Sequence, residues 1–132
     1  MLIGILPLIT KAQTPSKRWK YLYSDSIKNE KTYIDTATIQ KSDGADGHLD
    51  IVVIWIRRLS KPNPQGEYAQ QDDVKIFVDV LNRQFEVKSE LERYNGNSTQ
   101  HVVNSLQWID VPPESNGEII LNYCKNFLKS NP

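Results

Sequence analysis

Few residues in this chain have types and spacing that could do chemistry, and one of them is its single cysteine, Cys124. One cysteine excludes an internal disulfide and a cysteine-based zinc finger. A catalytic thiol needs its pKa lowered by a histidine, a positive charge or a helix N-terminus. Cys124 lies instead in the middle of a predicted amphipathic helix, on its apolar side. We therefore expect Cys124 to pack in the core, as a small hydrophobic residue would.

The other candidate ligands are also better explained without a metal. His48 and His101 lie far apart in the sequence, with no HxxxH-type spacing and no third ligand, so they are typical of ordinary strand or turn histidines. Asp43, Asp46 and nearby Asp50 could hold calcium, but they lack the EF-hand spacing, and the glycines among them favour a hairpin turn. The remaining clustered acidic residues are most simply solvated faces: Asp72, Asp73, Glu86, Glu90 and Glu92.

Motifs of known enzymes are missing from the sequence. It contains no GxSxG, HExxH, Walker or Rossmann glycine pattern. A hydrolase would need a nucleophile and a base within hydrogen-bond reach, and neither histidine has an evident partner in the sequence. We predict a non-enzymatic protein without a cofactor or a metal site.

Three tryptophans, Trp19, Trp55 and Trp108, are the other candidates for a site. They could line a ligand groove, since aromatic side chains combine a large apolar area with defined geometry. Each of them also falls where a sheet face needs filling. We take the structural role as the first reading of all three and leave the groove as the alternative.

Composition limits the class of protein. The chain has 132 residues, the size of one domain, with 16 basic and 16 acidic residues and a net charge of zero. That balance argues against a nucleic-acid partner, which usually demands a basic excess. The hydrophobic share of 39% and the charged share of 24% are typical of a folded domain.

The N-terminus resembles part of a secretory signal. Residues 2–9 are apolar apart from Gly4 and Pro7, which is typical of the hydrophobic region of a signal peptide, although the basic region before it is missing. As a helix this segment would extend only about 12 Å, too short to span a membrane. We predict a signal remnant at residues 1–14, one domain at residues 15–132 and an exported protein in the periplasm, on the outer surface or secreted. A first strand or a disordered tail is the alternative for this segment.

The rest of the chain indicates an α+β fold with strands first and one helix last. Trp19, Tyr21 and Tyr23 alternate with other residues as on one aromatic strand face. Both alternating sets of the next segment are apolar, which predicts a central strand covered on both sides. One face has Leu49, Ile51, Val53 and Trp55, and the other has Val52, Ile54 and Ile56. Further strands are predicted at residues 31–35, 74–81, 85–92 and 100–106. We therefore expect an antiparallel sheet of about six strands with one C-terminal helix packed on one face.

That helix has a start signal and an apolar stripe. Ser115 can be its N-cap, with Glu118 as the reciprocal partner of a capping box. Apolar residues repeat along the helix at i, i+1, i+4 and i+5, so they form one apolar stripe that must be buried against the sheet. The residues of this stripe are Ile119, Ile120, Tyr123, Cys124, Phe127 and Leu128.

The order of landmarks along residues 16–128 resembles the surface-adhesin protein E family of bacterial exported domains. What the resemblance implies is the sheet with one C-terminal helix described above, and a disulfide between a strand cysteine and a helix cysteine. In this chain Val80 stands at the expected strand position, so Cys124 would pack on Val80 as a remnant of that pair. The matching elements are Trp19, Tyr33-Ile34-Asp35 with Ile39, Val53-Ile54-Trp55-Ile56, residues 74–83 with Asp79, Tyr94 with Gly96, Trp108 to Ser115, and Cys124.

The resemblance implies an adhesin-like binding module that recognises a protein partner at the bacterial surface or in the periplasm. Exposed loops and edge strands are the expected contact sites, because a sheet domain usually binds through them. A homodimer is a further possible assembly. The alternative function is a periplasmic small-molecule-binding domain with a pocket between sheet and helix. The polar loop at residues 61–71 is the first candidate for contacts, through Lys61, Asn63, Gln65, Glu67 and Tyr68.

Overall fold

The computed structural model of the chain describes residues 17–44, 48–60, 70–94, 97–102 and 107–132. They form one antiparallel sheet and a C-terminal helix, which confirms the predicted α+β class. Six strands follow one another in the order β1-β2-β4-β5-β6-β7, while β3 pairs with β4 and β8 pairs with β6. The elements are β1 (Trp19–Asp25), β2 (Glu30–Asp35), β3 (Gln40–Ser42), β4 (Ile51–Ser60), β5 (Gln71–Asp79), β6 (Gln84–Tyr94), β7 (Asn97–Val102), β8 (Ile109–Asp110) and α1 (Asn116–Ser130).

Strand β4 lies at the centre of the sheet and is buried on both faces, as its sequence predicts. Val52, Ile54 and Ile56 point toward the helix and join the main hydrophobic core. Ile51 and Val53 lie on the opposite face and are also buried. Successive side chains of a strand alternate between faces, so this double burial requires the continuous apolar run that the sequence has here.

The first strand departs from the predicted pattern. A bulge shifts the register of β1 on β2 between Tyr21 and Tyr23. Tyr21 meets Tyr33 edge to face on the side away from the helix, whereas Leu22 and Tyr23 both pack against the core beneath the helix. The expectation of one aromatic face was therefore wrong for Tyr23, because the extra residue of a bulge resets the alternation of side chains.

Helix α1 begins after the predicted N-cap but lacks the predicted capping box. Ser115 has extended backbone geometry and makes no side-chain cap; its hydroxyl donates to the Pro112 carbonyl at 2.7 Å. The Glu118 carboxylate accepts from the Arg83 guanidinium at 2.5 Å. The tertiary ion pair and the turn before the helix thus replace the reciprocal hydrogen bonds of a capping box.

The helix packs on the sheet through the predicted stripe with one exchange, in which Leu121 takes the place of Ile119. The other predicted residues contribute to the core: Ile120, Tyr123, Cys124, Phe127 and Leu128. Ile120, Leu121 and Cys124 are its buried residues, while Ile119 is 39% exposed. Val80 packs against the same core cluster that contains Cys124. Among the described residues, no helix combines the length and the hydrophobicity needed to cross a bilayer.

Candidate functional site

A groove of about 300 Å³ lies on the sheet face opposite helix α1, and we call it the arginine–tryptophan groove. Strand alternation creates it, because residues adjacent in one strand face opposite sides and only every second residue reaches this face. Its walls come from the start of β1 and from β2, β4, β5 and β6. The lining residues are Arg18, Trp19, Asp35, Trp55, Arg57, Asp73, Leu91 and Arg93.

One wall of the groove is a bidentate ion pair between Arg18 and Asp35. The Arg18 Nε and Nη2 atoms donate to the two Asp35 oxygens at 2.8 and 2.7 Å. The buried Asp35 also accepts from the Thr38 hydroxyl at 2.6 Å and from the Ala37 amide at 3.0 Å. Burial alone would raise the pKa of Asp35, but these hydrogen bonds outweigh it and the pKa is lowered. Asp35 is therefore a fixed carboxylate that anchors Arg18.

The floor of the groove holds a second bidentate pair, between Arg57 and Asp73. These residues are direct register partners on β4 and β5, and Arg57 donates to the two Asp73 oxygens at 2.8 and 3.0 Å. The Arg57 guanidinium carbon also lies 4.0 Å from the centroid of the Trp19 ring. A guanidinium held by a carboxylate and stacked on an aromatic ring loses little further freedom when it binds a ligand.

Arg93 is the arginine of the groove that is held most loosely by a carboxylate. Its Nη1 atom lies 4.0 Å from the nearer Asp73 oxygen. With its amide oxygen turned toward the guanidinium groups, Gln71 accepts from Arg93 Nη1 at 2.8 Å and from Arg57 Nε at 3.1 Å. The Arg93 side chain is 44% exposed, so its guanidinium is available at the mouth of the groove.

Charges on this face are layered by depth. Asp35, Asp73 and Glu86 are buried, whereas the Arg18 side chain is 49% exposed and the Arg93 side chain 44% exposed. Glu86 forms an ion pair with Lys88, whose ammonium lies 4.8 Å from the Phe77 ring centroid. The expectation that Asp73 and Glu86 belong to solvated faces was therefore wrong. The carboxylates lie beneath the cations, and the face presents positive charge to solvent.

A second polar cluster joins His48, Asp79 and Trp108. The His48 ring stacks on Trp108 with centroids 3.9 Å apart, and its Nδ1 atom is hydrogen-bonded to the buried Asp79 carboxylate. Asn82 donates to the two Asp79 oxygens through its backbone at 2.9 Å and its side chain at 2.8 Å. Burial acts to raise the pKa of Asp79, but the hydrogen bonds from Asn82 and His48 lower it overall.

Backbone geometry helps to place His48 in that cluster. Gly44 has a φ of 118°, and a Cβ atom there would lie 2.5 Å from the His48 carbonyl oxygen. Within the described residues, no serine, threonine or cysteine side chain is hydrogen-bonded to His48. This pair was not predicted from the sequence, because His48 and Asp79 are 31 residues apart and no local pattern connects them.

Three carboxylates form an acidic cluster on the helix side of β5 and β6. Oxygen atoms of Asp72, Glu90 and Glu92 lie within 4.8 Å of one another. Burial, the hydrogen bond with Glu92 and the charge of Asp72 raise the pKa of Glu90. Arg58, the register partner of Asp72, partly offsets the shift. The arrangement is therefore three neighbouring carboxyl groups beside one guanidinium.

The remaining predicted residues are placed as follows. Trp19 and Trp55 are half-buried in the groove, and Trp108 is half-buried beside His48. Val80 and Cys124 contribute to the core beneath the helix, where burial raises the pKa of the Cys124 thiol to about 12. His101 belongs to β7, opposite Glu90. The signal remnant at residues 1–14 and the loop candidates Lys61, Asn63, Gln65, Glu67 and Tyr68 lie outside the described residues.

A separate depression of about 330 Å³ lies between β1 and the C-terminal end of α1. Lys20 is placed over the Tyr123 ring there, with its ammonium 5.2 Å from the centroid. Phe127, Asn126, Ser130 and Asn131 complete the lining. None of the three tryptophans considered for a ligand groove lines this depression; Trp19 and Trp55 line the groove on the other face instead.

Fold and groove together define an α+β sheet domain with one face covered by a helix and the other rich in arginine and tryptophan. Comparisons of the chain with protein-family models, with curated proteins and with solved structures found no match.

Proposed function

We propose that this chain is a non-enzymatic binding module that contacts a protein partner through the arginine–tryptophan groove. Trp and Arg supply a large share of the binding energy in protein interfaces. The groove gathers two tryptophans and three arginines on one accessible face. The observation that carries the proposal is Arg57, which is held in place by Asp73 and Trp19 before any partner arrives.

A binding role also agrees with how the groove uses its charged groups. Asp35 and Asp73 are neutralised by bidentate arginines, so neither carboxylate is placed to act as a general base. The geometry thus favours recognition over proton transfer. Arginine side chains that are fixed in advance reduce the entropy lost on association.

The experiment compares two matched aromatic truncations. Trp19→Ala removes the ring under Arg57, and Tyr123→Ala removes a ring from the depression on the other side of the sheet. Immobilised domain is incubated with extracellular and periplasmic extracts, and each captured protein is quantified against the parent domain. We expect Trp19→Ala to reduce capture of a specific partner at least tenfold, and Tyr123→Ala to leave it within twofold. Equal capture by the parent and Trp19→Ala would reject the groove as the contact site.

We also propose, from the resemblance to the surface-adhesin protein E family and from the apolar residues 2–9, that the protein is exported to the periplasm or the bacterial surface. A reporter enzyme that is active only outside the cytoplasm tests this when it is fused after residue 20. Reporter activity that is lost on replacing Leu6 and Leu8 with Asp would support export. Activity equal to that of a fusion without these residues would reject it.

The small-molecule alternative is supported by the depression between β1 and α1, whose 330 Å³ is in the range of ligand pockets. Its test uses the same Tyr123→Ala variant. A compound from a periplasmic extract that raises the melting temperature of the parent but not of Tyr123→Ala would favour this function. An equal shift in both variants would reject the depression as its site.

A further inference from the structure

We propose that the arginine–tryptophan groove recognises a carboxylate-bearing segment of its partner, an acidic peptide with Asp or Glu side chains. This inference rests on the protein-binding role proposed above. The lining contains three arginines and two aspartates, which leaves an excess of one positive charge in the groove. Complementary charge across an interface sets specificity and speeds association.

The different burial of the two kinds of charge makes the excess positive charge of the groove more accessible to a ligand. Asp35 and Asp73 are buried at the base of the groove, while the Arg18 and Arg93 side chains are almost half exposed. An approaching ligand therefore meets guanidinium groups before it meets carboxylates. The net charge of the whole chain is zero, so this positive face results from the placement of charges and not from their number.

Arg93 is the side chain best placed to receive the ligand carboxylate. A guanidinium carries five N–H donors, and the described contacts of Arg93 are made through Nη1 alone. Arg57, by contrast, already uses Nε and Nη2 on Asp73. A carboxylate could thus form a bidentate pair with Arg93 without displacing an existing bidentate pair.

The apolar part of the groove suits a peptide better than a nucleic acid. Trp55 and Leu91 supply apolar lining in the same groove as Arg93, against which the aliphatic carbons of Asp or Glu can pack. The Trp19 ring, the natural platform for a base, is already covered by the Arg57 guanidinium at 4.0 Å. One excess charge also matches a single carboxylate better than a run of phosphates.

The test uses a short acetylated, amidated peptide of alternating serine and glutamate, with an otherwise identical glutamine peptide as control. Binding is followed by NMR at low salt, through the arginine Nε–H signals and the three tryptophan indole signals. We expect the glutamate peptide to shift the signals of Arg93 and Trp55 but not that of Trp108, which lies beside His48 outside the groove. The glutamine peptide should shift none of them.

Two matched substitutions assign the effect. Arg93→Gln and Arg83→Gln remove arginine side chains of nearly equal exposure, 44% and 42%, but only Arg93 lines the groove. We expect Arg93→Gln to weaken glutamate-peptide binding about tenfold, as for loss of a hydrogen bond to a charged group. Arg83→Gln should change it less than twofold, and melting curves check that both variants are folded.

Three outcomes would overturn the acidic-ligand inference: equal binding of the glutamine peptide, no effect of Arg93→Gln, or tighter binding of oligothymidylate than of the glutamate peptide. Partner capture that depends on Trp19 but is not competed by the glutamate peptide would reject the ligand class and leave the proposed function standing. Capture that does not depend on Trp19 would reject the proposed function itself.

Discussion

The His48 ring stacks on the Trp108 indole with centroids 3.9 Å apart and planes inclined by 23°, while its Nδ1 atom is hydrogen-bonded to the buried carboxylate of Asp79. The three residues come from the segment before β4, the end of β5 and the segment before β8. A single imidazole therefore ties three distant parts of the chain together. Because Asp79 is fully buried, the stability of the fold should depend on its partners.

Replacing Asp79 with Asn should destabilise the protein by about 2–4 kcal/mol, because two donors from Asn82 and one from His48 would lose a charged acceptor. Urea unfolding at neutral pH measures the change. Asp50→Asn is the matched control, since the Asp50 side chain is 68% exposed, and it should change the free energy of unfolding by about 0.5 kcal/mol or less. Equal effects of both substitutions would show that the cluster contributes nothing to stability.

Acid should unfold the protein partly through Asp35 and Asp79. The folded-state pKa of each is lowered, so each contributes stability above its unfolded pKa of about 3.9, and that stability is lost as the pH falls through the folded pKa. The free energy of unfolding should therefore fall as the pH drops below about 4. In Asp79→Asn the same pH series should be flatter. A slope identical to that of the parent would assign acid sensitivity to other carboxyl groups.

Val80→Cys tests the pairing implied by the adhesin E resemblance. Val80 and Cys124 contribute to the same core cluster, and we expect the variant to form an intramolecular disulfide in air, which needs Cα atoms within about 7 Å. Mass spectrometry and thiol titration measure it. Val53→Cys is the control, because Val53 is buried on the face opposite the helix. A persistently free dithiol in Val80→Cys would reject the pairing.

In the parent, the buried Cys124 with a pKa of about 12 should resist alkylation until the protein unfolds.

The buried Glu86 carboxylate should be compatible with a stable fold only while Lys88 neutralises its charge. Lys88→Met keeps an unbranched side chain near Phe77 but leaves the fully buried carboxylate unpaired, and we expect a loss of about 2–4 kcal/mol. The double variant Glu86→Leu/Lys88→Met should recover most of that loss, because an apolar pair avoids the desolvation of both charges. Thermal unfolding of the parent, Lys88→Met and the double variant measures the coupling. A double variant as unstable as the single one would mean that Lys88 acts through packing and not through its charge.

Local periodicity predicted most of the elements. The alternation of Val74, Ile76 and Val78 matches three buried positions of β5, and the terminal apolar spacing matches α1. These signals are visible in sequence because they involve neighbours two to four residues apart. The last strand was placed at residues 100–106, whereas β7 spans Asn97–Val102 and residues 103–106 lie outside the described part of the chain. In the helix only Ile119 departs from the predicted stripe, because docking on the sheet, and not the helix itself, decides whether Ile119 or Leu121 is buried.

The candidate site was much less predictable. Arg57 meets Asp73 only in the register that β4 and β5 adopt, and Trp19 reaches them only because β1 lies beside β2. A shift of one residue would send the Arg57 side chain to the helix face. Glu86 looks like any charged residue of an exposed face until the strand order buries it. Such pairings are non-local, so a single sequence does not encode them in a readable pattern.

The bulge in β1 has a consequence for how the molecule behaves at high concentration. Strand β1 is one end of the strand order, and a regular terminal strand offers unpaired backbone groups on which further copies can polymerise. An irregular register between Tyr21 and Tyr23 interrupts that template and increases the local twist. We therefore expect the feature that divides the tyrosines between two faces also to disfavour fibril growth on this edge strand.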